Sequence, residues 1–121
     1  MTPNQFRRRF RYWQKKFLMA DWDIEIKFEP PPEGNRAAFD CNPEYKEGWV
    51  WLDPERVPME DDAKMEKWIV HELVHGPQWT LEKKAEDWAG DDETKYEDVR
   101  IIAETVATKW EEIILNVARK R

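Results

Sequence analysis

The sequence is poor in cysteine and has no long hydrophobic run. Cys41 is the only cysteine among 121 residues, which excludes an internal disulfide and a cysteine-based zinc finger and fits a reducing compartment. No apolar run approaches the roughly 18 residues that span a bilayer, and the basic N-terminus lacks the apolar stretch of a secretory signal. We therefore expect a cytoplasmic protein without a membrane segment, in which any metal is held by histidines and carboxylates.

Acidic residues outnumber basic ones, but not at the N-terminus. The chain has 20 Lys/Arg and 26 Asp/Glu, and residues 1–20 hold six of the bases and no acid, so the rest has 14 bases against 26 acids. This acidic body should repel nucleic acid, and the basic segment is interpreted as the outer face of a helix. Length and the 40% hydrophobic content predict one compact domain, residues 1–121.

The first half of the chain predicts one helix and three strands. Thr2, Pro3 and Gln5 have the capping pattern of a helix start, and apolar residues at helical spacing continue it to about residue 20. Apolar and charged residues then alternate over 22–28, and short extended stretches follow at 36–41 and 49–52. We expect stretch 36–41 to be an exposed sheet edge that could receive an extended peptide.

The second half predicts helices. One begins at Asp61 or Asp62 and ends at Gly76 and Pro77, and a shorter one covers residues 80–88. A long helix follows Glu93, with a predicted buried stripe made of Val99, Ala103, Val106, Trp110, Ile113 and Val117. The prediction is an α+β fold: a small three-stranded sheet, an N-terminal helix, a helix with the histidines described next, and a long C-terminal helix.

Both histidines of the chain lie in the sequence His71-Glu72-Leu73-Val74-His75, an HExxH motif. Residues four apart on a helix lie one turn apart, so both imidazoles can bind one metal ion, and Glu72 can reach a water on that ion as general base. Two histidines placed at random with a glutamate at this position would occur in about 0.2% of such sequences. The motif therefore predicts a Zn²⁺ site.

Catalytic zinc uses three protein ligands and leaves the fourth position to water. With no further histidine, a carboxylate must complete the site. Glu104 is the strongest candidate because its neighbours on the long helix are small or apolar, where a solvated face would carry charge. Glu97 lies on nearly the same helix face, about two turns earlier, and is the alternative.

The segment from Trp68 to His75, followed by Ala103-Glu104-Thr105-Val106-Ala107, resembles the gluzincin metallopeptidases, specifically the single-domain minigluzincins. The resemblance covers most of the chain. It implies a zinc-dependent peptidase with ligands His71, His75 and Glu104 and general base Glu72. Such proteins can also occur in blocked, latent forms, so the resemblance implies an active or a latent peptidase acting on peptide or protein substrates.

Three features depart from that family. Gly76 and Pro77 follow the motif at once, and Thr108 stands where thermolysin-type enzymes place an aspartate that supports a histidine ligand. No histidine remains to stabilise the oxyanion, and Tyr96 is our candidate for that role. The alternative function is a zinc-stabilised binding or regulatory domain with little turnover.

A third class, a nucleic-acid-associated protease similar to the SprT-like group, is supported only by the basic first segment. The sequence does not set the oligomeric state, and a monomer is the default expectation.

Overall fold

The computed structural model describes residues 1–119 and confirms the α+β class. The elements are helix α1 (Pro3–Lys16), strands β1 (Asp23–Lys27) and β2 (Ala37–Asn42), a 3-10 turn (Pro43–Tyr45), strand β3 (Glu47–Leu52), and helices α2 (Asp62–Ala89) and α3 (Glu93–Arg119). Two compact units divide the chain, residues 1–69 and a second that begins at Val70, within α2. None of the helices in the described range is both long and apolar enough to cross a membrane.

Helix α1 begins as its sequence predicts. Thr2 accepts from the N–H of Gln5, and the Gln5 side chain accepts from the N–H of Thr2. Phe6, Phe10 and Trp13 are buried. The predicted end near residue 20 is wrong, because Leu18 takes the left-handed conformation (φ 58°) and the buried Gln14 amide donates to the carbonyls of the turn that follows.

The sheet has the order β1-β3-β2, with β1 parallel and β2 antiparallel to the central strand β3. Alternate residues of β1 and β3, including Ile24, Val50 and Leu52, are buried, while Trp49 and Trp51 are half-buried. Strand β2 lies at one edge of the sheet, as predicted for stretch 36–41, and β1 forms the other edge.

Helix α1 packs on the first turns of α2 within the first unit. The rings of Phe6 and Trp68 lie 6.2 Å apart. Glu66 accepts from the Trp13 indole at 2.7 Å and pairs with Arg9. These contacts fix the start of the helix that carries the HExxH motif.

The predicted stop at Gly76 and Pro77 is wrong, because α2 continues without a break for 28 residues to Ala89. A proline inside a helix removes one backbone hydrogen bond and crowds the preceding turn, at a cost of about 3 kcal/mol. Pro77 lies on the exposed side, and buried Leu73 and Val74 precede it. Packing of the helix face therefore overrides the local preference of proline, and the separate helix predicted at 80–88 is the second part of α2.

The predicted buried stripe of α3 is also wrong. Val106, Trp110, Ile113 and Val117 are between 38% and 51% exposed, whereas Ala107 and Glu111 are buried. The buried side is rotated by roughly 100° from the apolar stripe, at about 100° per residue. The buried side carries a glutamate, Glu111, which is 4% exposed.

Candidate metal centre

His71 and His75 project from consecutive turns of α2. Their ring centroids are 5.0 Å apart, and their Nε2 atoms are separated by 3.3 Å. Both side chains are largely buried, at 17% and 13% exposure. The HExxH spacing thus brings one nitrogen of each imidazole close enough for both to bind the same metal ion.

Glu104 of α3 meets both histidines. Its Oε2 lies 3.0 Å from Nε2 of His71, and its Oε1 lies 3.1 Å from Nε2 of His75. These three residues form a group whose ligand atoms lie within 4.8 Å of one another. The structure therefore brings together the two histidines and the glutamate that the sequence singles out.

The donor set and its spacing fit zinc. Two donor atoms at the usual zinc distance of about 2.05 Å, in tetrahedral directions, are about 3.3 Å apart. The two histidine Nε2 atoms are 3.3 Å apart, and they lie 3.0 and 3.1 Å from two different oxygens of Glu104. One donor atom from each of the three residues lies within 4.8 Å of the others. Two imidazoles and one carboxylate are also a combination found in catalytic zinc enzymes.

The candidate site is accessible from the side of Glu104, whose side chain is 62% exposed. Structural zinc sites are closed by four protein ligands, whereas catalytic sites keep a position for water or substrate. Three ligands, one of them largely exposed, match the second type.

Two further glutamates contact the outer nitrogens of the histidines. Oε1 of Glu82 lies 2.9 Å from Nδ1 of His75, and Oε1 of the buried Glu111 lies 3.3 Å from Nδ1 of His71. The hydrogen bond to Glu82 holds the ring proton of His75 on Nδ1, which leaves the lone pair of Nε2 for a metal and fixes the ring orientation. Glu111 places a carboxylate beside the same nitrogen of His71. Thr108 stands where thermolysin-type enzymes place an aspartate beside a histidine ligand. In this chain Glu82 and Glu111 supply carboxylates beside the histidines instead.

Sequence reasoning missed both of these residues, although a signal was present. Glu82 follows His75 by seven positions on α2, and Glu111 follows Glu104 by seven on α3. Seven residues make nearly two full turns, so each glutamate lies on the same helix face as the ligand before it. Glu97 lies seven positions before Glu104 and Glu111 seven positions after it, so the same spacing indicates both residues.

Glu97 and Tyr96 are not part of this cluster. Glu97 is exposed and pairs with Arg100 at 3.2 Å. Tyr96 lies next to it in a shallow depression that Gly90, Asp91 and Glu93 also line. Eight residues separate Tyr96 from Glu104, about 12 Å along the helix, so the geometry does not support Tyr96 as an oxyanion donor.

Burial raises the pKa of Glu72 to about 7; the positive charge of His75 opposes this shift, and the negative charges of Glu104 and Glu82 add to it. Burial lowers the pKa of His75, but the hydrogen bond to Glu82 and the nearby carboxylates outweigh it, so that this pKa is raised. A carboxyl with a pKa near neutrality can both accept and return a proton, as a general base must.

These shifts predict that the metal-free protein loses stability as the pH rises. The pKa of Glu72 is higher in the folded chain, so its contribution is fully present below pH 4.5 and lost as the pH passes about 7. The pKa of His75 is also raised, so its contribution to stability likewise falls as the pH rises. Chelator-treated protein should have a free energy of unfolding about 2 kcal/mol larger at pH 5.5 than at pH 8 in urea titrations, from Glu72 alone.

The matched control is Glu72→Gln, whose side chain does not titrate and which should lose most of this difference. Wild-type stability that increases from pH 5.5 to pH 8 would contradict the assigned environment of Glu72.

A second prediction concerns Glu111. Glu111→Gln keeps the size of the side chain but weakens the acceptor for His71, so zinc affinity should fall by about 10- to 100-fold in competition titrations. Glu112→Gln changes the exposed neighbour, which pairs with Lys109, and should leave zinc affinity unchanged. Equal affinities for the two variants would show that Glu111 does not orient the ligand.

No protein-family model, curated protein or solved structure matches the chain. The geometry of the site is therefore the basis on which a function can be proposed.

Proposed function

We propose that the protein is a zinc-dependent peptidase of gluzincin type, in which His71, His75 and Glu104 hold one zinc ion. The observation that carries the proposal is the meeting of these three donor groups within 4.8 Å of one another, on a site that is accessible at Glu104. Glu72, from the same HExxH turn, supplies a carboxyl with a pKa near neutrality. A metal, an open position and a base together are the requirements of metal-assisted hydrolysis.

Zinc, when bound, supplies Lewis acidity that activates water and polarises the scissile carbonyl. The carboxylate of Glu72 accepts a proton from the attacking water and delivers it to the leaving amine. Glu82 and Glu111 keep the imidazoles of His75 and His71 in the tautomer and orientation that ligation needs.

Hydrolysis of fluorescently labelled casein tests this proposal. We expect turnover that a chelator abolishes and that one equivalent of zinc restores. His71→Ala should be inactive under all of these conditions. Activity that persists after the chelator has removed all metal would exclude the proposed mechanism.

The second candidate is a zinc-stabilised binding domain with little turnover. The position of Tyr96 favours it, because this residue, the only tyrosine after Val70, is about 12 Å along α3 from Glu104. Tight zinc binding without casein or peptide turnover would support this candidate over the peptidase.

A further inference from the structure

The exposed side of α3 carries a continuous row of large apolar residues. Ile102, Val106, Trp110, Ile113 and Val117 are between 38% and 62% exposed. The largest exposed apolar patch of a soluble monomer usually measures about 300–600 Å² and is often an interaction surface. We call these five residues the α3 stripe.

The metal centre does not explain the α3 stripe. Glu104 and Glu111, which contact the histidines, lie on a side of the helix rotated by roughly 150° from the stripe. Val99 and Ala103, which are half-buried, extend the stripe towards the N-terminus of α3. Together with the stripe residues other than Ile102, they follow the alternating spacing of four and three residues (99, 103, 106, 110, 113, 117). This spacing is typical of helices that pack along their length against another helix.

We propose that the α3 stripe binds the α3 stripe of a second copy of this chain, in antiparallel orientation about a two-fold axis near residue 108. This pairing places Val106 opposite Trp110, Ala103 opposite Ile113, and Val99 opposite Val117 of the other copy. The two largest residues, Trp110 and Ile113, then face the smaller Val106 and Ala103, as good packing requires, and valines face each other at the ends. A parallel pair would instead place Trp110 against Trp110 and Ala103 against Ala103. The tryptophan layer would then be overfilled, and the alanine layer would contain a void.

The area of the α3 stripe suits a dimer of modest affinity. A fully exposed large apolar residue presents on the order of 200 Å², so five residues about half exposed present roughly 500 Å² in each copy. Two copies would remove roughly 1,000 Å² from water, the lower limit for a specific interface. Trp110, at the middle of the row, is the residue type that most often dominates such interfaces.

Sedimentation equilibrium of the full chain tests the dimer. We expect the average mass to rise from one to two chain masses between about 1 and 200 µM. Trp110→Glu should raise the dissociation constant at least about 30-fold, and Ile113→Lys should act in the same direction. Ile101→Lys, which changes an exposed apolar residue of α3 outside the stripe, should leave the dissociation constant unchanged.

Zinc content and helicity of the variants show whether they fold, so a dimer lost by misfolding is distinguished from one lost at the interface. The proposal is overturned by a wild-type protein that stays monomeric at 200 µM, by assemblies that grow beyond two copies, or by folded Trp110→Glu and Ile113→Lys variants that dimerise as tightly as wild type. It does not depend on the proposed function, which each of these results leaves intact.

Cross-linking tests the orientation. When Val99→Cys and Val117→Cys proteins are mixed and oxidised, a covalent pair should form between the two variants and in neither variant alone. Covalent pairs in each variant alone would show a parallel arrangement and overturn the antiparallel one.

Discussion

Glu104→Ala should lower the affinity for zinc by about 10³-fold or more, with the helices of the protein still formed. Structural zinc sites of zinc-finger peptides contribute about 10–16 kcal/mol of binding energy. If three ligands share about 12 kcal/mol, loss of one removes about 4 kcal/mol, or about 10³-fold in affinity. Glu104 bridges both histidines at 3.0 and 3.1 Å, and it is largely exposed, so its removal leaves no buried cavity. Competition with a fluorescent zinc chelator measures the change.

The matched control is Glu97→Ala, which removes a glutamate from nearly the same face of α3, seven residues earlier. Glu97 is exposed and pairs with Arg100, so its loss should change zinc affinity by less than about two-fold. If the two variants lost affinity equally, or Glu97→Ala lost more, the third ligand would not be Glu104.

Glu72→Gln should abolish peptide hydrolysis while the protein still binds zinc. Glutamine matches glutamate in shape but accepts no proton at neutral pH, so turnover should fall by about 10²- to 10⁴-fold, the range that general-base catalysis contributes. Zinc affinity should stay close to wild type, because Glu72 is not among the three donor residues. Steady-state hydrolysis of a quenched fluorescent peptide, with zinc content measured on the same samples, separates the two effects.

Glu86→Gln is a suitable control, since Glu86 also lies on α2 but contacts Lys83 at 3.4 Å. It should keep wild-type turnover. Undiminished turnover in Glu72→Gln would remove this residue from the mechanism.

Local sequence signals predicted those elements whose ends depend on nearby residues. The capping pattern of Thr2 and Gln5 fixed the start of α1, and the alternation around Ile24 and Ile26 identified β1. The HExxH spacing likewise defined the two histidines, because one helical turn determines their distance. In each case the interaction that decides the structure lies within a few positions along the chain.

The wrong predictions concern helices whose end or buried side is determined by tertiary contacts. Pro77 does not end α2, because burial of the preceding turn outweighs one missing hydrogen bond. The most apolar side of α3 is not its buried side, because Glu104 and Glu111 are drawn to the histidines. Hydrophobic periodicity assigns apolar residues to the core and so cannot anticipate a helix whose buried side carries a glutamate, Glu111, that contacts a histidine.

The most direct test of the account is a calorimetric titration of zinc into chelator-treated wild-type protein, with the His71→Ala and His75→Ala double variant as reference. We predict saturation at one zinc ion per chain, with a dissociation constant below about 1 µM, and no saturable binding in the double variant. Absence of saturable binding to the wild-type protein, or equal binding by the double variant, would contradict the metal centre and the function proposed from it.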